Sequence, residues 1–355
     1  LNKRLPSTKR WNPLLGEWVI MAPVTAGRPW SGSVIKSVKN DQPEYDPECY
    51  LCPGVRRAGG ETNPDYKGVH IFNNDFPSLS MDFSTKSISP AAALSEDDNT
   101  RPYDTPTQGI CRVACFSPKH NITLPQMKTE DIAGIVHAFC GEFEELSSIP
   151  EIANVMIFEN RGKVIGVSNP HPHGQIYSTD FVPRIPMTMH ANAEKHMTDT
   201  GKCLFCSILE AELIDGDRIV CENDHFAAYV PYFARHAYEI HIMPRRHVPF
   251  MSALSHEERV SLAVIYKEVM VRYDNLYQLP APNITIFHNA PCAVDMDPEP
   301  YHFHIEFYPP LRSRDKLKYM AGFESGGGNI INPSLPEESA KLLGNVSPIH
   351  YLKKS

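Results

Sequence analysis

Positive charge is in short supply in this chain: 34 lysines and arginines stand against 42 aspartates and glutamates, for a net charge of -8. A basic nucleic-acid-binding surface is therefore not the first reading, although a nucleotide needs only a few local cations or backbone amides. Apolar runs of membrane-spanning length are missing too. The stretch from Leu1 does not read as a cationic, apolar signal leader. A disulfide framework is also lacking. The nine cysteines are an odd number in a long chain, and only Cys49/Cys52 and Cys203/Cys206 are spaced C-x-x-C. Cys111, Cys115 and Cys140 lie in apolar runs, where a thiol acts as a small hydrophobe. This usage points to thiolate metal sites in a reducing compartment, hence to a cytoplasmic protein without membrane or nucleic-acid partners.

What is present is enough for a substantial core. The chain has 355 residues, 42% of them hydrophobic, which allows one large domain or two ordinary ones. With 32 prolines and only 21% charged residues, ordered loops are expected rather than disorder.

The sequence repeats itself at about half its length. In the first half, Cys49/Cys52 is followed by Phe72-Asn73-Asn74-Asp75-Phe76. The strand-like run Cys111–Phe116 then leads to Ser117-Pro118-Lys119-His120. A helical stretch from Glu130 to Leu146, the strand Val155–Asn160 and a His-Pro-His strand entry complete the half. The second half runs through Cys203/Cys206, Cys221–Phe226, Tyr238–Ile242 ending at His247, a helix from Ser255, and the strands Asn283–Asn289 and Tyr301–Phe307. Ile132, Ile135, Val136 and Phe139 form one apolar stripe, as do Leu262, Ile265, Tyr266 and Val269. Ser255 and Glu258 fit a capping box. The fold class is α+β: two tandem halves, each a mainly antiparallel sheet with packed helices, forming one pseudo-symmetric unit. The join falls between about 182 and 202, giving halves 1–185 and 186–355.

The repeat extends the metal signal. Two thiolates three positions apart need two further ligands for a tetrahedral ion. His120 and His171 supply them in the first half, and His247 and His302 stand at equivalent places beside Cys203 and Cys206. Two closed, structural zinc sites are expected. The competing reading, buried thiols or a redox pair, favours a strand-to-helix entry, and neither pair is clearly so placed.

The run Ser168-Asn169-Pro170-His171-Pro172-His173-Gly174-Gln175 carries the chemistry. Pro172 fixes the backbone between two imidazoles. A neutral imidazole is a nucleophile near pH 7, and His173 attacking an α-phosphorus would form a nucleotidyl-histidine. Gly174 allows close backbone approach, and Gln175 and Ser168 can donate to phosphoryl oxygens.

With Phe158-Glu159-Asn160-Arg161-Gly162 ahead of it, this motif resembles that of galactose-1-phosphate uridylyltransferases, of the histidine-triad superfamily. The resemblance covers nearly the whole chain, through Asn12-Pro13-Leu14, Arg28-Pro29-Trp30, Cys52-Pro53-Gly54, Phe307-Tyr308-Pro309-Pro310 and Lys318–Glu324. It implies a ping-pong reaction of galactose metabolism. UDP-glucose would leave UMP on His173 and release glucose 1-phosphate, and galactose 1-phosphate would take the UMP to give UDP-galactose. It implies phosphate contacts from Gln175 and Ser168, ribose contacts from Asn74 and Asp75, and nucleotide contacts from Asn160, Gly166 and Val167. Arg28, Lys318, Tyr319, Phe323 and Glu324 would reach phosphate or sugar, some across a homodimer interface. Cys49, Cys52, His120 and His171 would hold zinc. The chain departs from the pattern at Val167, where the family has Cys, and at Thr25, where it has Arg. It departs again at Glu306, which replaces a His, and at Met189, near an expected Glu. The second site is therefore read as the Cys₂His₂ variety. His304, the counterpart of His173, lacks the Gly-Gln ending and marks a degenerate copy.

Plainer roles compete. Asn74 and Asp75 can simply make a turn, Lys318 can be a solvated cation, Trp18 and Trp30 packing residues, and His288 a structural imidazole. Two other functions compete as well. One is a nucleoside-diphosphate-sugar phosphorylase or hydrolase of the same fold, for example acting on ADP-glucose with phosphate. The other is a zinc-stabilised nucleotide-binding protein without catalysis.

Overall fold

The computed structural model describes residues 6–27, 42–82 and 107–353, so Arg28 and Trp30 lie outside the described residues. The N-terminal part contains β1 (Thr8–Asn12), β2 (Glu17–Met21), β3 (His70–Asn73), β4 (Gly109–Cys115), α1 (Thr129–Ser147), β5 (Asn154–Arg161) and β6 (His173–Thr179). Two helices follow, α2 (Arg184–Thr200) and α3 (Leu204–Asp215). Then come β7 (Ile219–Glu222), β8 (Phe226–Tyr229), β9 (Ile240–Pro244), α4 (His256–Tyr277), β10 (Asn283–His288) and β11 (His304–Tyr308). The C-terminal part adds β12 (Leu311–Ser313), β13 (Lys316–Leu317), α5 (Gly322–Gly327), β14 (Ile331–Asn332) and α6 (Pro336–Asn345).

The fold is α+β, and its two halves share one sheet. The nine strands run in the order β3-β4-β6-β5-β10-β11-β9-β8-β7, every pair antiparallel. The halves meet where β5 pairs with β10, Phe158 opposite Ile286 and Asn160 opposite Ile284. Outward from that seam, β5-β6-β4-β3 on one side is matched by β10-β11-β9-β8 on the other. The sequence repeat is thus written into the strand order.

Alternation along the strands assigns the two faces. On one face, α1 and α4 pack side by side over a core continuous through both halves. It includes Ile132, Val136, Phe139, Leu262, Tyr266, Ile157, Ile176, Ile305 and Phe307. Both expected helical stripes are buried there. Ser255 accepts from the Glu258 N–H, and Glu258 accepts from the Ser255 N–H, completing the capping box. The opposite face is treated unequally. Over the C-terminal half α2 and α3 cover it, Met189, Ala193 and Phe205 packing on Tyr229, Met243 and Tyr301. Over the N-terminal half the loop carrying Cys49, Leu51, Cys52 and Tyr66 covers Val113 and Cys115. Phe158, Asn160, His173, Gln175 and Tyr177 stay half-buried there.

Three local expectations change. The segment expected to join the halves is the helix α2, ended by Gly201 in the left-handed region (φ 72°). Its first turn is Pro-rich, where missing N–H groups cost nothing, and this hid it. The last large strand begins at His304 rather than Tyr301, because Tyr301 to Phe303 turn away to bring His302 to its partners. Cys203 does stand at a helix entry, as the N-cap of α3.

Gly174 also has a different use from the one expected. It lies on the α1 face, where an added Cβ would come 3.1 Å from the Phe116 ring and 3.2 Å from the Phe158 carbonyl oxygen. Its small size therefore serves packing beneath the strand. Gly174→Ala is expected to destabilise the fold by about 1–3 kcal/mol through overpacking, read as a lower urea midpoint at unchanged slope. An unchanged midpoint would show that Phe116 yields freely.

Candidate active site and metal centres

His171 and His173 precede and open β6, and their rings are held in different ways. The His171 Nε2–H donates to the Ser117 carbonyl (2.8 Å), which leaves Nδ1 as the lone pair. That Nδ1 lies 3.5 Å from Cys52 Sγ and 3.9 Å from Cys49 Sγ, and His120 Nδ1 lies 3.7 Å from Cys52 Sγ. The ligand atoms of Cys49, Cys52, His120 and His171 are all within 4.8 Å of one another and all four residues are buried. A tetrahedral zinc with two sulfurs and two nitrogens places S and N about 3.5 Å apart, so the spacing suits such an ion. Burial lowers the His171 pKa to about 4, keeping a neutral ring, and pushes the Cys52 thiol up to about 11, so that sulfur ionises only against a cation.

Cys203, Cys206, His247 and His302 repeat the arrangement. Cys206 Sγ is 3.4 Å from His247 Nδ1 and 3.2 Å from His302 Nδ1. Contact with Cys206, followed by contacts with the two imidazoles, drives Cys203 toward the thiolate. A third group is His288, His304 and Glu306. Glu306 already has protein partners: His241 Nε2 is 3.5 Å away, His288 Nε2 3.4 Å, His304 Nε2 3.2 Å, and the Tyr308 hydroxyl donates to it. Glu239 approaches the same His241 Nε2, at 3.0 Å.

His173 uses its Nδ1–H to donate to the His171 carbonyl at 2.7 Å. A carbonyl only accepts, so the proton sits on Nδ1 and Nε2 keeps its lone pair. Burial lowers the ring's pKa, which keeps it neutral. The ring lines a cavity of about 260 Å³ with Asn160, Arg161, Val167 and Pro172.

The other expected residues are distributed as follows. Asn160 and Val167 share the cavity with His173, while Gly166, Ser168, Gln175, Asn74 and Asp75 do not line it. Gln175 stands on the same sheet face as His173, two positions on. Asn74 makes the turn its plainer reading foresaw, its Oδ1 accepting from the Phe76 N–H at 3.0 Å. Asp75 Oδ1 is 3.7 Å from Arg57 Nε. Lys318 and Glu324 pair with each other, and Glu324 also accepts from the N–H groups of Ala321 and Ile331. Tyr319 and Phe323 are exposed. Thr25 closes a turn through its hydroxyl to Ala22 O.

Asn169 was not foreseen. It is buried, accepts from the His171 N–H at 2.9 Å, and places its Nδ2 3.4 Å from Cys49 Sγ. Asn before Pro is an Asx-turn signal, so the sequence did carry it.

Two halves of matching strand order, joined through one antiparallel sheet, define the class of this molecule. Its residues 2–183 match the galactose-1-phosphate uridyl transferase N-terminal domain and residues 189–355 the corresponding C-terminal domain. The chain is 36% identical over 348 residues to a galactose-1-phosphate uridylyltransferase of Haemophilus influenzae, covering 98% of this chain and 96% of that one. It is 36% identical over 334 residues to the Thermotoga maritima enzyme of the same name, covering 94% and 96%. Among solved structures, a uridylyltransferase superposes with TM-score 0.72 at 28% identity, over 95% of this chain and 97% of that one. An ADP-glucose phosphorylase of Arabidopsis thaliana shares the fold with TM-score 0.75 at 24% identity, over 96% and 100%. The chain belongs to the galactose-1-phosphate uridylyltransferase family, and is a nucleotidyltransferase. No helix among the described residues is long and apolar enough to cross a membrane.

Asn169→Ala removes a partner of both Cys49 and the His171 backbone. If the Cys49–His171 group takes up a metal ion, its affinity is expected to fall about 10- to 100-fold in a chelator competition. Unchanged affinity would show that Asn169 only shapes the turn.

Proposed function

We propose that this chain moves UMP from UDP-glucose to galactose 1-phosphate through a covalent intermediate on His173. The observation that carries the reading is the hydrogen bond from His173 Nδ1–H to the His171 carbonyl, which leaves Nε2 free to attack. In the first half-reaction Nε2 bonds to the α-phosphorus, and the bond from that phosphorus to the bridging oxygen breaks. Glucose 1-phosphate leaves with the electron pair. The ring then carries positive charge, and its Nδ1–H···O=C bond becomes charge-assisted and stronger. In the second, a phosphate oxygen of galactose 1-phosphate attacks the same phosphorus and the P–N bond breaks. Neither step asks His173 for a proton transfer.

Gln175 and Ser168 are proposed as donors to the phosphoryl oxygens, with Asn160, Gly166 and Val167 beside the nucleotide and Asn74 and Asp75 toward the ribose. The Glu324 bonds to Lys318 and to two backbone N–H groups support a role in holding the 318–324 loop. Exposed Trp11, Trp18, Tyr319, Met320 and Phe323 support a homodimer in which this loop serves a neighbouring site. Arg28 would complete the phosphate contacts.

Cys49, Cys52, His120 and His171 would hold one zinc, and Cys203, Cys206, His247 and His302 a second. Four protein ligands leave no open position, so the metal's chemistry here is to fix backbone, not to bind substrate. Thiolate ligands and nine unpaired cysteines support a reducing, cytoplasmic location. The second copy is read as inactive: His304 is fully buried with the Phe205 ring 5.0 Å away.

Intact-mass measurement after incubation with UDP-glucose is expected to show one UMP per chain, and none in His173→Asn. An adduct surviving that change would remove His173 as nucleophile. Comparison with ADP-glucose, and with inorganic phosphate as acceptor, separates the transferase from a phosphorylase. Metal analysis is expected to find about two zinc ions per chain, as two Cys₂His₂ sets require. One ion would remove the second site.

A further inference from the structure

The His173 cavity has an electrostatic character opposite to that of the whole chain. The protein carries a net charge of -8, yet three cations, Arg161, Lys163 and Arg314, line this cavity. Arg161 is committed elsewhere: its guanidinium forks onto Asp274 at 2.7 and 2.8 Å, both side chains buried. Lys163 and Arg314 are exposed, and their side chains make no hydrogen bond or ion pair among the described residues. The one carboxylate on the lining among the described residues, Glu159, is buried, is raised in pKa by that burial, and accepts from the Tyr266 hydroxyl at 3.1 Å. It therefore does little to cancel the two free cations.

The backbone places both residues on the cavity lining. Lys163 opens a single 3-10 turn between Gly162 and Gly166, both in the left-handed region (φ 99° and 86°). A Cβ at Gly162 would come 2.9 Å from Pro282, so this turn packs directly on the residue before β10. Arg314 stands in the two-residue connection between β12 and β13, and Leu311 of the same hairpin also faces the cavity.

We infer that Lys163 and Arg314 form an anion subsite at the rim of the His173 cavity that takes the phosphate of the sugar 1-phosphate. This rests on the uridylyl-transfer reading, and it identifies what that reading needs. In the second half-reaction a sugar phosphate dianion must approach a phosphorus that already bears negative oxygens. Two cations whose side chains have no partner among the described residues, in a cavity with low-dielectric walls, offset that repulsion and raise the local concentration of the acceptor. In the first half-reaction the same pair receives the departing phosphate.

The test is made on the uridylylated protein. After loading with UDP-glucose and removal of free ligands, discharge of the adduct is followed against galactose 1-phosphate concentration. Lys163→Met and Arg314→Met are each expected to raise the half-saturating concentration about tenfold or more, as loss of a charge-assisted contact does. The maximal discharge rate should change far less, and the salt dependence of discharge should weaken. Lys163→Arg and Arg314→Lys should recover part of the loss. Inorganic phosphate, used as a competitor, should inhibit the wild type more than either Met variant. If the wild type loads and both Met variants discharge with unchanged half-saturation, the subsite is overturned while the uridylyl-transfer reading stands. If the wild type never loads, it is the transfer reading that has failed.

Discussion

One hydrogen bond organises this molecule: His173 Nδ1–H to the carbonyl of His171, 2.7 Å long. It sets the tautomer of the ring and so decides which nitrogen keeps its lone pair. The bond is only as well placed as the His171 backbone, and that backbone is held from three sides. The His171 ring turns Nδ1 toward two cysteine sulfurs, its Nε2–H is tied to Ser117 O, and its N–H is tied to Asn169. The proposed metal ligand and the proposed nucleophile thereby stand in neighbouring peptide units, with Pro172 preventing the chain between them from swinging.

The duplicated half contains the same bond, from His304 Nδ1–H to the His302 carbonyl at 2.9 Å, beside a second set of two cysteines and two histidines. What differs is access. Helices α2 and α3 lie over that part of the sheet, and Phe205 packs on the His304 ring. Among the described residues, the corresponding face of the first half is covered as far as the Cys49–Tyr66 loop reaches. The Glu239–His241–Glu306 network, buried beneath α2 and α3, fills the second copy with charges that satisfy one another. A common core under α1 and α4 means that neither half closes without the other.

The sequence was legible wherever periodicity or spacing expresses a single cause. The stripes on α1 and α4, the Ser255 capping box and both Cys₂His₂ sets follow from local pattern plus the repeat. The joining helix was not legible, because the Pro-rich start of α2 masks a weak amphipathic stripe. The position of β11 was not legible either, since His302 is drawn out of the strand by its distant partners Cys206 and His247. Cross-strand facts were out of reach for the same reason. The closeness of Gly174 to Phe116, the pairing of Lys318 with Glu324, and the freedom of Lys163 and Arg314 depend on segments far apart in sequence.

The central claim concerns the protonation of one ring, and the direct measurement is ¹⁵N NMR of the histidine-labelled protein, with His173 assigned by its loss in His173→Asn. The account predicts a neutral ring with the proton on Nδ1 and an unprotonated Nε2 near neutral pH. A His173 signal showing the proton on Nε2, or equal sharing between the two nitrogens, would contradict it.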